Sequence, residues 1–298
     1  ILVNSATLRL LRPFGLASQI MAAGIPIQRM AIRGPEGSIL EGVLDIRSDD
    51  GIAPTLLPQL DTEACLIEAL AQRGITVQRP AGFRGFVASN GVVQSEVDFN
   101  GTVRTIRSSY LLGADGRQSR VRSGLGFDYH QSATPLRMYS QDAIINWDNE
   151  PDVIIWILKK GAAIAMRLGE GKVRFAATSV QTFQSLGFQN RIQRTTWESE
   201  FDVYFAQVDR YGQDRVWLAG DAAHVHSPVG GRGMNMGIAD AIAFAGALKE
   251  DDLAAYERQR HDVSSTWVSK NQKATRLMSD QGFKGDLTRS VFRKIAVG

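Results

Sequence analysis

Apolar positions recur at helical spacing in several stretches of the chain. Residues 4–14 carry Leu8, Leu11 and Phe14 on one face, with Pro13 near the end. Residues 58–73 place Leu60, Ala64, Ile67, Ala69 and Leu70 on one side, with Pro58 suited to the first turn and Gly74 supplying the stop. Met234, Ile238, Ala241, Ala245 and Leu248 mark a later helix. Asp252 can cap a long final one, with Leu253, Tyr256, Val263, Trp267, Ala274 and Leu277 along one side. Elsewhere the pattern alternates with a period of two. Residues 28–32 and 39–46 read as strands around a turn at 34–37, and 76–78, 86–88, 92–99 and 103–108 follow. Asn100-Gly101 between the last two is a strong hairpin signal. Residues 139–147, 153–158, 162–168 and 173–178 predict an antiparallel meander with turns at 159–161 and 169–172, whereas 183–205 show no dominant period.

Two short apolar runs stand apart, at 110–113 and 216–219, each reading as a buried parallel strand. The second leads into Gly220-Asp221, then a loop holding Pro228, Gly230, Gly231 and Gly233, then the helix that begins near Met234. The succession is strand, acid, glycine loop, helix start. Glycines let backbone approach a ligand closely, and a helix N-terminus offers free N–H groups to an anion or a polarised carbonyl.

The stretch from Arg215 to Ala241, together with Leu112 to Arg122, closely resembles the flavin-dependent aromatic hydroxylases, the class A para-hydroxybenzoate-hydroxylase-like FAD monooxygenases. The resemblance covers most of the chain and weakens in the middle and after about Leu248. It implies an α/β fold: an FAD-binding doubly wound, Rossmann-like domain (residues 1–27, 56–127 and 206–250), an inserted β-sheet substrate domain (28–55 and 128–205) and a C-terminal helical segment (251–298). The family opens with a strand, a Gly-x-Gly-x-x-Gly turn and a helix around the FAD pyrophosphate; nothing here matches them, and the first residue is Ile1, not Met. About 35–45 further residues are therefore expected ahead of it.

By the same resemblance, Asp221 hydrogen-bonds the ribityl chain of FAD. Pro228, Gly231 and Gly233 let the loop lie against the isoalloxazine ring, and the N–H groups of Met234 and Asn235 face its N1–C2=O edge, where reduced flavin carries negative charge. Asp115 stands beside the FAD ribose and pyrophosphate, although an Asp-Gly turn alone would explain it. Arg122 presents a cation to the phosphates of NADPH or NADH, or is an exposed helix charge. Gln59 contacts the adenosine-pyrophosphate side, or is a solvated helix-start residue. Trp147, Trp156, Met166 and Phe175 line a pocket for a flat apolar substrate, or form sheet core; Trp156, Met166 and Phe175 are the substrate candidates. No catalytic acid or base maps onto the sequence.

The implied chemistry is hydroxylation of an aromatic or similar apolar small molecule through a flavin hydroperoxide, with FAD as cofactor and NAD(P)H and O2 as co-substrates. An FAD-dependent reductase or dehydrogenase, and a non-catalytic remnant, stay open beside it. Composition narrows the rest. At 44% hydrophobic the chain can build a substantial core, and at net charge +3 with mixed signs it shows no nucleic-acid footprint. A single cysteine, Cys65, excludes an internal disulfide and fits a cytoplasmic protein. No apolar run reaches the roughly 18 residues of a membrane span. His224-x-His226 lacks a third spaced ligand, so no metal is expected. The partner is a small molecule; oligomeric state is open, a homodimer included.

Overall fold

A computed structural model of the chain describes residues 1–34, 37–43, 50–131, 136–226 and 231–279. Its largest element is a seven-stranded sheet. In spatial order the strands are Ile192–Val203, Leu136–Ile145, Lys172–Ala177, Ala162–Gly169, Val153–Ile157, Arg29–Gly34 and Gly37–Val43. Neighbours are antiparallel except Val153–Ile157 beside Arg29–Gly34, which runs parallel. The last three strands of the expected meander, Val153–Ile157, Ala162–Gly169 and Lys172–Ala177, are consecutive neighbours, but Leu136–Ile145 pairs with Lys172–Ala177 instead of with its successor, so the four do not form one meander; the early hairpin joins at Val153–Ile157. The strand Ile192–Val203 had no counterpart in the expected elements. Its positions are mostly exposed, so burial imposes no alternation on it.

The period of two divides the sheet into unlike faces. One face packs Tyr139, Ile154, Trp156, Ala163 and Phe175 under Phe183 and Phe188. Phe175 meets Phe183 and Phe188 with ring centroids 5.3 and 5.7 Å apart, and Trp156 meets Phe188 at 5.6 Å. The opposite face presents Met30, Val153, Ile155, Ile164 and Met166 to Leu2, Ile25 and Leu56. This corrects the expectation that Trp156 and Phe175 line a substrate pocket. Both are core on the covered face, Phe175 with no exposed surface, and Trp147 lies in the same cluster. Met166 alone of the substrate candidates faces the strands at the start of the chain.

The parallel strands are Leu111–Gly113 and Val216–Leu218, in register Val216 to Leu111 and Leu218 to Gly113. Among the described residues the doubly wound part of the fold rests on this pair. Gly113 is dictated by packing: a Cβ there would lie 2.6 Å from the Val121 Cβ. Against the pair pack the helix Arg120–Leu125, the antiparallel strands Gly82–Ser89 and Val92–Phe99, and the helices Gly233–Lys249 and Leu253–Ser279, while the mostly exposed strand Thr102–Ser108 pairs with Val92–Phe99. Asn100-Gly101 forms its hairpin with both residues left-handed, and Asn90-Gly91 repeats the device one turn earlier. The helices Ser5–Leu11, Leu16–Ala23 and Gln59–Ala71 bury Leu8, Ile20 and Cys65 in a further core that Met234 and Ile238 join. The expected strand at 76–78 is not regular structure. It has no sheet neighbour among the described residues, and Ile75 and Val77 lie exposed. No described helix is long and apolar enough to cross a membrane.

Candidate functional site

The fully buried strand Val216–Leu218 ends in a single tight turn, Gly220–Ala222, entered with Gly220 in the left-handed region at φ 59°. Four hydrogen bonds fix this turn. The Gly220 N–H donates to Asp240 Oδ2 at 2.8 Å, and the Ala223 N–H donates to the Gly220 carbonyl at 2.8 Å. The Ala222 carbonyl accepts from Arg122 Nη1 at 2.9 Å, and the Asp221 carbonyl accepts from the Tyr129 hydroxyl at 3.1 Å. Asp221 is exposed, and its carboxylate has no hydrogen-bond or ion-pair partner among the described residues. The backbone is held while the acid stays free to accept from a ligand.

Behind the turn lies a buried polar network. Asp240, with no exposed surface, accepts from His224 Nε2 at 2.7 Å as well as from Gly220, and its Oδ1 accepts from Arg260 Nε at 2.6 Å. Burial alone would raise the Asp240 pKa; His224, Arg260 and the Gly220 N–H outweigh it and hold the carboxyl below the usual carboxylate range. His224 is engaged within the protein core through this bond. Asp240 and Arg260 were missed. The only signal for them was an Asp on an apolar helix, which burial would penalise without partners.

Gly231, at the described end of the glycine loop, approaches the start of the chain. Gly231 has φ 60°, and a Cβ on it would sit 3.3 Å from the Leu2 Cβ. Asn235 is buried; its Nδ2 donates to the Leu2 and Gly231 carbonyls at 2.8 and 2.7 Å, and its Oδ1 accepts from the Asn4 N–H at 3.0 Å. Its side chain therefore ties the loop down. The first helical bond runs from the Met236 N–H to the Arg232 carbonyl, so the N–H groups of Gly233, Met234 and Asn235 precede the ladder, where a helix can accept an anion or a carbonyl. The Arg232 guanidinium stacks on Trp267 at 3.6 Å, and desolvation lowers its pKa from the usual arginine value. Pro228, expected on this loop, lies outside the described residues.

The second motif folds back on itself. Asp115 stands at the end of its strand, but its oxygens accept from Ser119 Oγ (2.5 Å), the Arg120 N–H (2.7 Å) and the Val121 N–H (3.2 Å). Its observed bonds cap the helix Arg120–Leu125, where Ser119 is the N-cap residue. Arg122 requires a correction. It is buried rather than presented to a nicotinamide cofactor: its guanidinium donates to the Ala222 and Arg117 carbonyls and stacks 3.9 Å over Tyr129. Its charge is used to join the two motifs. Gln59 stands exposed at the first position of the helix Gln59–Ala71, away from Asp115 in sequence.

The sheet face that carries Met166 is not wholly apolar. Arg174, its cross-strand partner, makes a two-pronged ion pair with Asp142 at 2.6 and 2.7 Å, and its guanidinium lies 5.6 Å from the Trp197 ring. No cluster of three metal-ligating side chains occurs among the described residues. Burial raises the Cys65 thiol pKa, which suits an inert core residue.

The free acid on a pinned turn, the close-approach glycine and the open helix start fit a flavin, and comparison with known proteins agrees. A family model described as FAD binding domain matches residues 1–186 and 184–271. The chain belongs to this FAD-binding family. The resemblance to flavin-dependent aromatic hydroxylases is thereby shown. The uncharacterized aromatic compound monooxygenase YhjG of Bacillus subtilis is 27% identical over 307 residues, covering 93% of this chain and 60% of that protein. The 2,4-dichlorophenol 6-monooxygenase of Cupriavidus pinatubonensis is 27% identical over 329 residues, covering 92% and 54%. The chain thus spans little more than half the length of these relatives. Among solved structures, p-nitrophenol 4-monooxygenase of Pseudomonas putida superposes with TM-score 0.82 at 20% identity, over 97% of this chain and 80% of that one. The flavin-dependent monooxygenase PieE, solved with FAD and substrate, gives 0.77 at 20% identity, over 91% and 56%. At such identity these two likenesses speak for the fold.

Proposed function

We propose that this family member is the FAD- and substrate-binding part of a monooxygenase that uses NAD(P)H and O2 to hydroxylate an aromatic or similar apolar small molecule. The observation that carries the reading is Asp221, a free carboxylate on a turn whose backbone is held from outside by Asp240, Arg122 and Tyr129. When bound, FAD supplies electron transfer from NAD(P)H and delivery of one oxygen atom from O2. The chain's own part is to bind, orient and exclude water. Asp221 accepts hydrogen bonds from the ribityl hydroxyls, and Gly231 and Gly233 let the loop lie flat. The helix start at Met234 and Asn235 stabilises negative charge on the adjacent ring edge.

Met166, Ile164 and Ile155 offer an apolar wall, and the Asp142–Arg174 pair offers a polar point for a ring substituent. A small aromatic substrate matches the names of several relatives, which act on 2,4-dichlorophenol or p-nitrophenol. No residue is assigned to NAD(P)H, since Arg122 is engaged elsewhere; a nicotinamide cofactor that visits rather than resides is in keeping with that. The test is titration of full-length apoprotein with FAD. Wild-type protein should bind and turn yellow, and Asp221→Ala should bind about 10- to 150-fold more weakly, the equivalent of one charged hydrogen bond at roughly 1.5–3 kcal/mol. Equal affinity in both would remove Asp221 from the flavin site.

A further inference from the structure

We propose that the buried Asp240–His224–Arg260 network, braced by Tyr256, is a positioning device that holds Asp221 at the flavin, and that its effect on flavin affinity passes through Asp221. The proposal rests on the reading of Asp221 as a flavin ligand.

The geometry is specific. Asp240 lies on the helix Gly233–Lys249, one turn beyond Gly237. Gly237 is where that helix touches the turn: a Cβ on Gly220 would meet the Gly237 Cα at 3.7 Å, and a Cβ on Gly237 would meet the Gly220 Cα at 3.6 Å. From this contact the Asp240 carboxylate takes both ends of the turn, the Gly220 N–H before Asp221 and His224 Nε2 after it. Its other oxygen is held by Arg260 of the helix Leu253–Ser279. The same helix reaches the strand just ahead of the turn, where the Tyr256 hydroxyl donates to the Leu218 carbonyl at 2.6 Å. Asp221 therefore sits between clamped points, and none of the clamps touches its carboxylate.

The groups facing this network are Tyr211, which packs 6.2 Å from the His224 ring and shares its hydroxyl with Ser264 at 2.5 Å, and Tyr256. Only one nitrogen of His224 is engaged. Nδ1 is buried and meets no partner among the described residues. A side chain with a single N–H donor at the Nε2 position can thus replace it, while one with no donor leaves Asp240 short of a hydrogen bond. Fold stability alone would not distinguish a clamp for Asp221 from an ordinary buried ion pair. Coupling to Asp221 does, because two groups acting as a unit give non-additive effects.

The experiment is a double-mutant cycle on FAD affinity, read by fluorescence titration of full-length apoprotein, with the thermal midpoint of each apoprotein recorded alongside. The proposal expects His224→Leu to weaken FAD binding about tenfold when Asp221 is present and less than about threefold in the Asp221→Ala background. His224→Gln, which keeps the donor, should bind within about threefold of wild type. Tyr256→Phe, which removes only the hydroxyl bond to Leu218, should show the same dependence on Asp221 at smaller size, and serves if His224→Leu does not fold. Equal weakening with and without Asp221, or lower thermal midpoints with unchanged affinity, would overturn the proposal and leave the network purely structural. Should Asp221→Ala itself bind FAD normally, the flavin reading of Asp221 fails first, and the positioning role falls with it. Weakening by Asp221→Ala combined with additive effects of His224→Leu would refute the positioning role alone.

Discussion

Arg122→Met separates two accounts of one residue. If Arg122 meets NAD(P)H phosphates, the variant should fold normally and lose affinity for the nicotinamide cofactor. In the structure the guanidinium is engaged differently. It makes two charged hydrogen bonds to carbonyls, the buried one of Ala222 at 2.9 Å and the part-buried one of Arg117 at 2.7 Å, and stacks on Tyr129. At about 1.5–3 kcal/mol for each charged bond, the pair is worth at most about 6 kcal/mol. Removing a buried charge also relieves its desolvation cost, and methionine keeps the aliphatic packing, so the net loss should be about 2–4 kcal/mol. At roughly 2–4 °C per kcal/mol for a domain of this size class, the apoprotein midpoint should fall by about 4–15 °C. Because the Ala222 carbonyl belongs to the turn that carries Asp221, FAD affinity should fall as well. Circular dichroism melts and an FAD titration check both. An unchanged midpoint with unchanged FAD affinity and a raised KM for NADPH or NADH would refute this reasoning.

Phe175→Leu should cost about 1–3 kcal/mol of stability in a urea melt and leave substrate KM unchanged, because the ring is sealed on the covered face. Met166→Ala should shift substrate KM or coupling with a smaller stability loss, and the reverse pattern would exchange the two faces. Asp221→Ala should leave the apoprotein midpoint near that of wild type, since its carboxylate has no protein partner to lose among the described residues; a large drop would make it a structural cap. For Asp240, the folded pKa is depressed by His224, Arg260 and Gly220 against the opposing effect of burial. Its ionised form therefore contributes stability above the ordinary Asp value of about 3.9, lost as pH falls through the lower folded value. The stability gap between wild type and Asp240→Asn should shrink as pH falls below about 4; a gap that widens there would contradict this sign.

The elements that packing alone determines were legible. Strand Val216–Leu218, helix Gly233–Lys249 and the hairpin at Asn100-Gly101 follow from an apolar run, a helical period and a turn that needs two left-handed residues. Strand Ile192–Val203 was not, because sheet pairing holds it while few of its side chains are buried. The strand expected at 76–78 shows the converse: alternation without a neighbour to pair with. At the candidate site, Asp221 and the glycines around it could be picked out because their residue types suggest a chemistry; that they hold a flavin is the proposal. Arg122 was not legible, because nothing in a sequence distinguishes a guanidinium in solvent from one bonded to a carbonyl a hundred residues away. The sequence left Trp156 and Phe175 between pocket and sheet core because alternation tells which residues share a face but not which face the rest of the protein covers.

The central claim, oxygen transfer dependent on flavin at this site, is tested most directly with 18O2. Full-length protein, FAD and NAD(P)H are incubated with a small aromatic substrate that accelerates NAD(P)H oxidation, and the product is analysed by mass spectrometry. The account predicts one 18O atom in the product and loss of labelled product in Asp221→Ala. Anaerobic turnover with hydride delivered to the substrate and no label from 18O2 would contradict it and identify a reductase.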